Sequence, residues 1–287
     1  MPELPEVETL RRDLSRAVIG RRIIAVELLR PRLLRGTDGY TFDDMIGMVV
    51  QEIRRRAKYL IVELSNGLSL VIHLGLAGQI VLERPSGERI AGGHPVPSFD
   101  QPLPHSLTSL ILRLDDGSVL YLTDIRQFAR LWLVPTGAVE MIVPETRLGI
   151  EPVAPEFTPS ELASRLRRHP RGRLKPLLLD QSLLAGLGNI YVDEALWGAG
   201  LHPLRTVESL DDADVGRLYE AIKEVLDLAL TYGVARIING RAIPGARLPR
   251  VHGRAGQPCP RCGHPIEKLR VGGRGTYICP VCQPLVE

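Results

Sequence analysis

The sequence predicts an α+β protein of several domains: an N-terminal two-layer β-sandwich with a helix at its start, then a helical domain, then a C-terminal four-cysteine metal-binding hairpin. Three observations predict it. Apolar residues recur at helical spacing over the first 18 positions and then give way to strand–turn–strand patterns as far as residue 134. Prolines at 144, 152, 155 and 159 mark a linker, after which the period becomes helical. All four cysteines fall in two C-x-x-C pairs near the C-terminus. The boundaries that follow are 1–143 for the sandwich, 144–159 for the linker, 160–250 for the helical domain and 251–287 for the hairpin.

Each element has a local reason. Leu4, Val7, Leu10, Leu14 and Val18 share one helical face, and Pro5 suits a first turn, so a helix is expected over Pro5–Val18. Glu6 and Glu8 lie near its start, where the helix dipole favours anions. Tyr59–Leu64 and Leu68–His73 flank Asn66-Gly67, and Leu110–Leu114 and Val119–Leu122 flank Asp116-Gly117. Both dipeptides tolerate the positive φ angles of a tight hairpin turn. Leu131–Val134 reads as a further strand, and the Pro- and Gly-rich Arg84–Ser106 as a long loop. Beyond the linker, Ser160–Arg168 reads as a short helix capped by Thr158 or Ser160, and Lys175–Leu184 as another. Gly186-Leu187-Gly188 breaks the pattern, Asn189 can cap a helix running towards Trp197, and Val207–Tyr232 gives the longest helix. Gly233–Gly256 reads as an irregular Gly- and Arg-rich stretch leading to the cysteines.

Composition narrows the function classes. With 44% hydrophobic and 24% charged residues over 287 positions, disorder, collagen and a coiled coil are excluded as the main architecture. No run approaches the ~20 apolar residues of a membrane span, and the acidic, arginine-containing start is no signal peptide, so a soluble cytoplasmic protein is expected. The net charge of +3 is unevenly spread. From Tyr232 to Glu287 there are nine Arg or Lys against two acids, a net of +7, which leaves −4 for the rest. A basic tail on a near-neutral body points to a polyanion. Only Lys58, Lys175, Lys223 and Lys268 are lysines, beside 32 arginines, which draws attention to any lysine in a motif.

Cys259-x-x-Cys262 and Cys279-x-x-Cys282 have the spacing of a four-thiolate zinc site. Two disulfides are the alternative, and an intracellular chain disfavours them. Four thiolates close the zinc shell and leave no position for a reacting water, so one structural Zn²⁺ is expected. Gly263 and Gly272-Gly273 supply turns, and Arg261, Lys268, Arg270 and Arg274 suit a hairpin that grips phosphates.

The chain opens Met1-Pro2-Glu3-Leu4-Pro5-Glu6. Loss of Met1 would expose Pro2 as a secondary amine, and an α-amino group is far less basic than lysine. A neutral amine attacks an aldehyde-level carbon and forms an iminium, an electron sink for elimination. Glu3 and Glu6 could move protons there, although acids at a helix start are also plain dipole complements.

Three distant segments then agree: MPELPEVETLRRDL at the start, LLLDQSLLAGLGNIYVDEALWGAGLHP at 177–203, and the cysteine hairpin ending GGRGTYICPVCQ. Together, and in this order, they resemble the bacterial formamidopyrimidine-DNA glycosylases over essentially the whole chain. The resemblance implies excision of oxidised purines (formamidopyrimidines and 8-oxoguanine) from damaged double-stranded DNA, followed by abasic-site cleavage through β,δ-elimination. It also implies a helix–two-turn–helix element in the helical domain and a monomer acting on nucleoid DNA. By the same resemblance Pro2 is the nucleophile, Glu3 the catalytic acid and Glu6 a supporting carboxylate. Lys58 is a phosphate-contacting catalytic lysine, with His73 near the same backbone. Arg126, Phe128 and, in place of a family methionine, Leu76 are expected to fill the void left by the extruded base. Lys175 is linked to base and phosphate contacts, Asn189 to a phosphate at a helix start, and Arg274 to the DNA clamp on the zinc hairpin. Without the resemblance, Leu76 and Phe128 read as ordinary core and the lysines as solvated charge.

The chain departs from the family at Leu76, at Gln127 where many members carry Arg, and at Ala129 where Gly is usual. The segment 233–250 is short and lacks the aromatic residue that often covers the extruded base. Two other readings compete: an endonuclease VIII-like glycosylase for oxidised pyrimidines, and a lesion-binding protein that does not cut. Leu4-Pro5 and the Arg126/Phe128 pair favour the oxidised-purine reading over the endonuclease VIII-like one, and the Pro2/Glu3 pair argues against mere binding.

Overall fold

Asn66-Gly67 turns the chain between β4 (Tyr59–Leu64) and β5 (Leu68–His73), with Gly67 at φ 78°. Asp116-Gly117 does the same between β8 (Thr108–Leu114) and β9 (Val119–Asp124). In both turns the Asn or Asp side-chain oxygen accepts the N–H two residues on, Asn66 Oδ1 that of Leu68 and Asp116 Oδ1 that of Ser118. A computed structural model describes residues 1–36, 39–143, 147–232 and 248–285, and the backbone of 236–238 and 241–243.

The chain divides into two compact units, residues 1–145 with 233–245, and residues 146–232 with 246–287. Among the described residues of the first, α1 (Leu4–Val18) precedes ten strands, which include β1 (Ile23–Leu28), β2 (Leu34–Gly36), β3 (Val50–Arg56), β6 (Gly78–Glu83), β7 (Arg89–Gly93) and β10 (Arg130–Pro135), and a one-turn helix, α2 (Val139–Ile142), follows them. Two later strands, β11 (Arg236–Ile238) and β12 (Arg241–Ile243), complete it. One sheet runs β1-β8-β9-β6-β7-β11-β12 and the other β2-β10-β5-β4-β3, all antiparallel except β2 with β10. Val7, Leu10, Leu14 and Val18 of α1 join one apolar core with Leu60, Leu70 and Ile72 of one sheet and Ile80, Leu112 and Leu122 of the other. This is the expected two-layer sandwich with its leading helix.

Two segments depart from the sequence reading. The expected loop Arg84–Ser106 contains β7, because Gly92 and Gly93 serve close approach and not a turn. A Cβ on Gly92 would stand 3.2 Å from Leu10 of α1, and one on Gly93 would stand 2.6 Å from the Gly78 carbonyl. The expected irregular stretch after 232 contains β11 and β12, and β11 pairs with β7 (Ile237 opposite Ala91), so 236–243 belongs with the sandwich and not with the helical domain. The remainder of the short 233–247 segment, positions 233–235, 239–240 and 244–247, lies outside the described residues.

The second unit is helical, with α3 (Pro159–Arg167), α4 (Leu174–Leu179), α5 (Asn189–Ala199) and α6 (Asp212–Tyr232) around a core of Leu162, Leu178, Val192, Leu196, Leu218 and Ile222. Thr158 caps α3, its hydroxyl accepting the Glu161 N–H at 3.2 Å. Three boundaries are corrected. Helix α4 stops at Leu179 because Asp180 turns the chain, its carboxylate accepting the Ser182 N–H (2.8 Å) and hydroxyl (2.7 Å). Helix α6 starts at Asp212, after a short 3₁₀ turn over Val207–Ser209, where Asp211 accepts the Asp214 N–H at 2.7 Å. The N-cap of α5 is Gly188, and Asn189 is its first helical residue. The unit ends in the hairpin β13 (Glu267–Val271) and β14 (Arg274–Ile278), turned by Gly272 and Gly273 at positive φ.

Candidate active site and nucleic-acid interface

In the first unit, charge converges on the start of α1. Glu3 precedes the helix and is buried, and its backbone N–H donates to Glu6 Oε2 at 2.8 Å. That bond satisfies an orphan N–H of the helix terminus with a carboxylate. Pro2 is buried beside it. Burial holds the α-amino group of Met1 below its ordinary value of 8.0. The carboxylates of Glu3 and Glu6 oppose that shift, while Lys58 and Arg126 reinforce it. Four of the expected residues, Glu3, Glu6, Lys58 and Arg126, therefore act on the chain's amino terminus.

Lys58 is buried at the turn between β3 and β4. His73 ends β5 opposite Tyr59, and its ring lies 4.9 Å from the Tyr59 ring. Burial, helped by the charges of Lys58 and Arg130, pushes His73 down to about 4, so it is neutral near pH 7. Its Nδ1 accepts the Gly75 N–H at 3.2 Å, which leaves the proton on Nε2 as a donor.

Two loops on this unit display side chains outward. After β9, the Asp124 carboxylate accepts the N–H groups of Arg126 (2.9 Å) and Ala129 (2.6 Å), and Gln127 takes the left-handed conformation at φ 57°. This clamp turns Arg126 and Phe128 outward, and Phe128 is 53% exposed. Gly75 lies directly against that loop, since a Cβ there would stand 2.5 Å from the Phe128 carbonyl oxygen. Leu76, the next residue, is 37% exposed. Neither Leu76 nor Phe128 is core. Asp124 was missed by sequence reasoning, although an aspartate leading into a turn readily accepts the backbone N–H two residues on.

In the second unit, the sulfurs of Cys259, Cys262, Cys279 and Cys282 all lie within 4.8 Å of one another, with 3.8 Å between Cys259 and Cys282 and 3.4 Å between Cys262 and Cys279. These separations are too long for disulfides and close to the about 3.8 Å edge of a tetrahedral zinc–thiolate shell. The four donors fit one structural Zn²⁺, held by thiolates alone. The hairpin is anchored to α5 by two carboxylates that sequence reasoning did not single out. Glu194 accepts the N–H groups of Arg250, Val251 and His252 at 2.7–2.9 Å. Asp193 accepts Lys175 Nζ (2.7 Å), His252 Nδ1 (2.8 Å) and the Tyr277 N–H (3.2 Å).

Lys175 accordingly is not a surface cation. It is 0% exposed, and its ammonium also donates to the Gly275 carbonyl at 3.1 Å. Asn189 Nδ2 donates to the same carbonyl at 2.9 Å, while its buried Oδ1 has no partner among the described residues. Both therefore hold the backbone next to Arg274, which is exposed. The other hairpin cations, Arg261, Lys268 and Arg270, are also exposed, and Arg261 lies over the Trp197 ring (4.4 Å to its centroid) and donates to the Gly198 carbonyl.

Comparison with known proteins accounts for all three parts. Residues 1–131 match the formamidopyrimidine-DNA glycosylase N-terminal domain, residues 148–239 the H2TH domain of the same enzymes, and residues 256–285 the zinc finger found in FPG and IleRS. A sandwich with a charged helix start, a helical H2TH module and a zinc finger define the class: DNA glycosylases that also cleave at abasic sites. The chain belongs to the formamidopyrimidine-DNA glycosylase family. It is 40% identical over 289 residues to the Pelotomaculum thermopropionicum enzyme of that name, covering 99% of each chain. It is 42% identical to that of Symbiobacterium thermophilum, covering 100% of this chain and 90% of the relative. Among solved structures, Lactococcus lactis Fpg (MutM) in complex with an N7-benzyl-Fapy-dG DNA superimposes with a TM-score of 0.83 at 34% identity, over 99% of this chain and 100% of the other. A MutM complex with carbocyclic 8-oxo-G DNA gives 0.82, with the same identity and coverage.

Proposed function

We propose that this chain removes formamidopyrimidines and 8-oxoguanine from duplex DNA and cuts the strand by β,δ-elimination through the amine of Pro2. The observation that carries the reading is the buried amino terminus set among Glu3, Glu6, Lys58 and Arg126. Removal of Met1 passes the amine to Pro2. An α-amino group is far less basic than lysine, so part of it is neutral near pH 7, and the lone pair attacks C1′ of the damaged nucleotide. The C1′–base bond breaks, the electron pair leaves with the base, and the proton given up by the Pro2 nitrogen neutralises the departing base. Glu3, buried at the helix start, protonates the sugar ring oxygen so that the ring opens to the iminium. Glu6 holds the Glu3 backbone through the 2.8 Å bond and supports that geometry. The iminium then acidifies C2′, and successive proton removals expel the 3′ and 5′ phosphates.

Binding is assigned to the remaining residues. Lys58 and the Nε2–H of neutral His73 suit phosphates near the lesion. Leu76 and Phe128, both exposed, wedge into the space the extruded base leaves, and Arg126 lies beside them. Arg274 on the zinc hairpin takes a backbone phosphate, and Lys175 and Asn189 hold its strand through the Gly275 carbonyl. Zinc supplies the crosslink that keeps the hairpin folded. The protein works as a monomer on nucleoid DNA in the cytoplasm. No helix among the described residues is long and apolar enough to cross a membrane.

The test is borohydride trapping on duplexes carrying 8-oxoguanine, formamidopyrimidine, an oxidised pyrimidine or an abasic site, with peptide mapping of the adduct. The expected adduct is on Pro2, and Pro2→Gly and Glu3→Gln bind damaged duplex without cutting. Strongest trapping on the oxidised pyrimidine would favour the endonuclease VIII-like reading. No adduct from protein shown to start at Pro2 would leave a lesion-binding protein.

A further inference from the structure

An ion cluster outside the reacting groups ties the helix that bears the amine to the turn that bears Lys58. Glu8 of α1 accepts Arg55 Nε at 3.0 Å, Arg11 Nε and Nη2 at 3.0 and 2.8 Å, and Arg12 Nε at 2.8 Å. The Arg55 side chain, at the end of β3, is only 8% exposed. Its other arm, Nη1, donates to the Ala57 carbonyl at 3.0 Å. Ala57 sits at φ 51°, a left-handed conformation that a residue with a Cβ holds only when its surroundings impose it. Lys58 follows at once, so the Ala57–Lys58 peptide that Arg55 grips sets the direction in which the lysine leaves the backbone. The Lys58 ammonium is near enough to both the terminal amine and His73 to depress the proton affinity of each.

We propose that Glu8 and Arg55 are positioning residues for strand cleavage: Glu8 holds Arg55, Arg55 holds the left-handed turn at Ala57, and that turn keeps Lys58 at a fixed distance from the amine. The proposal rests on the Pro2 reading above. It requires the forked guanidinium, because one cation must serve a carboxylate and a carbonyl in two directions at once. The charged groups facing the amine are Glu3, Glu6, Lys58 and Arg126, so a displaced Lys58 leaves the two carboxylates less opposed.

The experiment is single-turnover borohydride trapping on an abasic duplex across pH, using the full chain with Met1 removed. Wild type is compared with Glu8→Gln, Arg55→Met, Arg55→Lys and Lys58→Met. Misplacing a reacting group by about an ångström costs on the order of 100-fold in rate. Arg55→Met and Glu8→Gln are therefore expected to trap roughly 10- to 100-fold more slowly. The midpoint of the pH–rate profile moves upward, the direction Lys58→Met gives, because the lysine charge no longer depresses the amine. Arg55→Lys falls between, since an ammonium reaches one partner and not both. A folded Arg55→Met protein with wild-type trapping rate and midpoint, whatever its Tm, overturns the proposal and makes Arg55 a stabilising tie alone. If Arg55→Met does not fold, Arg55→Lys and Glu8→Gln carry the same readouts. Wild-type protein with no Pro2 adduct, or Lys58→Met with unchanged rate and midpoint, would instead remove the underlying reading, and the proposal with it.

Discussion

Replacing Glu8 by glutamine should destabilise the sandwich unit in a way that fades with acid. Burial alone would raise the Glu8 pKa, but hydrogen bonds from Arg11, Arg55 and Arg12 and the Arg55 charge overturn that and hold it down to about 2, from an ordinary 4.5. The folded-state pKa is depressed, so the stabilisation is complete above the unfolded value and is lost as pH falls through the folded one. Each unit is worth about 1.4 kcal/mol, which makes the contribution near pH 7 about 3 kcal/mol. By about pH 3 only about 1.4 kcal/mol of it remains. The Arg12 side chain is 44% exposed and so adds little to this; the less exposed Arg11 and Arg55 carry most of it. The assay is urea unfolding in a Trp197→Phe background, so that Trp132 on β10 reports the sandwich alone. The gap between wild type and Glu8→Gln should shrink by about 2 kcal/mol from near pH 7 to about pH 3. A gap that stays constant across that range would show that shape, and not ionisation, makes Glu8 matter.

The remaining predictions concern display and metal. Leu76→Ala and Phe128→Ala should each change stability by less than about 0.5 kcal/mol, because the side chains are exposed, while excision of a base paired in duplex DNA slows by about 10-fold or more. Cleavage of a preformed abasic site should suffer less, and urea melts with parallel excision and lyase assays check both. Stripping the zinc with a strong chelator should abolish DNA binding while the sandwich signal from Trp132 is unchanged; undiminished affinity in metal-free protein would refute that role for the hairpin.

How much of this was legible in the sequence depended on whether the signal was local. The Asn66-Gly67 and Asp116-Gly117 hairpins, α1 and the Cys259/Cys262/Cys279/Cys282 cluster were, because turn chemistry, helical spacing and ligand spacing act within a few residues. β7 was not, because Gly92 and Gly93 read as loop residues until Leu10 and the Gly78 carbonyl are seen against them. Lys175 read as a cation free to meet a phosphate, since nothing near it in sequence announces Asp193 as its buried partner. Glu8 with Arg11 and Arg12 could have been read as helix-surface pairs, but Arg55, 47 residues away, could not. The exposure of Phe128 depends on the Asp124 clamp, a contact made by a side chain to two backbone groups.

The pairing of β11 with β7 has a consequence for how the protein is made. On the ribosome, the strand that covers the β7 edge emerges more than 140 residues after β7 itself, and only once the helices between have been synthesised. Until then the outward-facing N–H and C=O groups of β7 have no neighbouring strand, which is the template for edge-to-edge association. A fragment cut at the proline linker would keep that edge bare permanently. The sandwich is thus a unit in space but not in the message, and any truncation meant to isolate it has to carry 236–243 along.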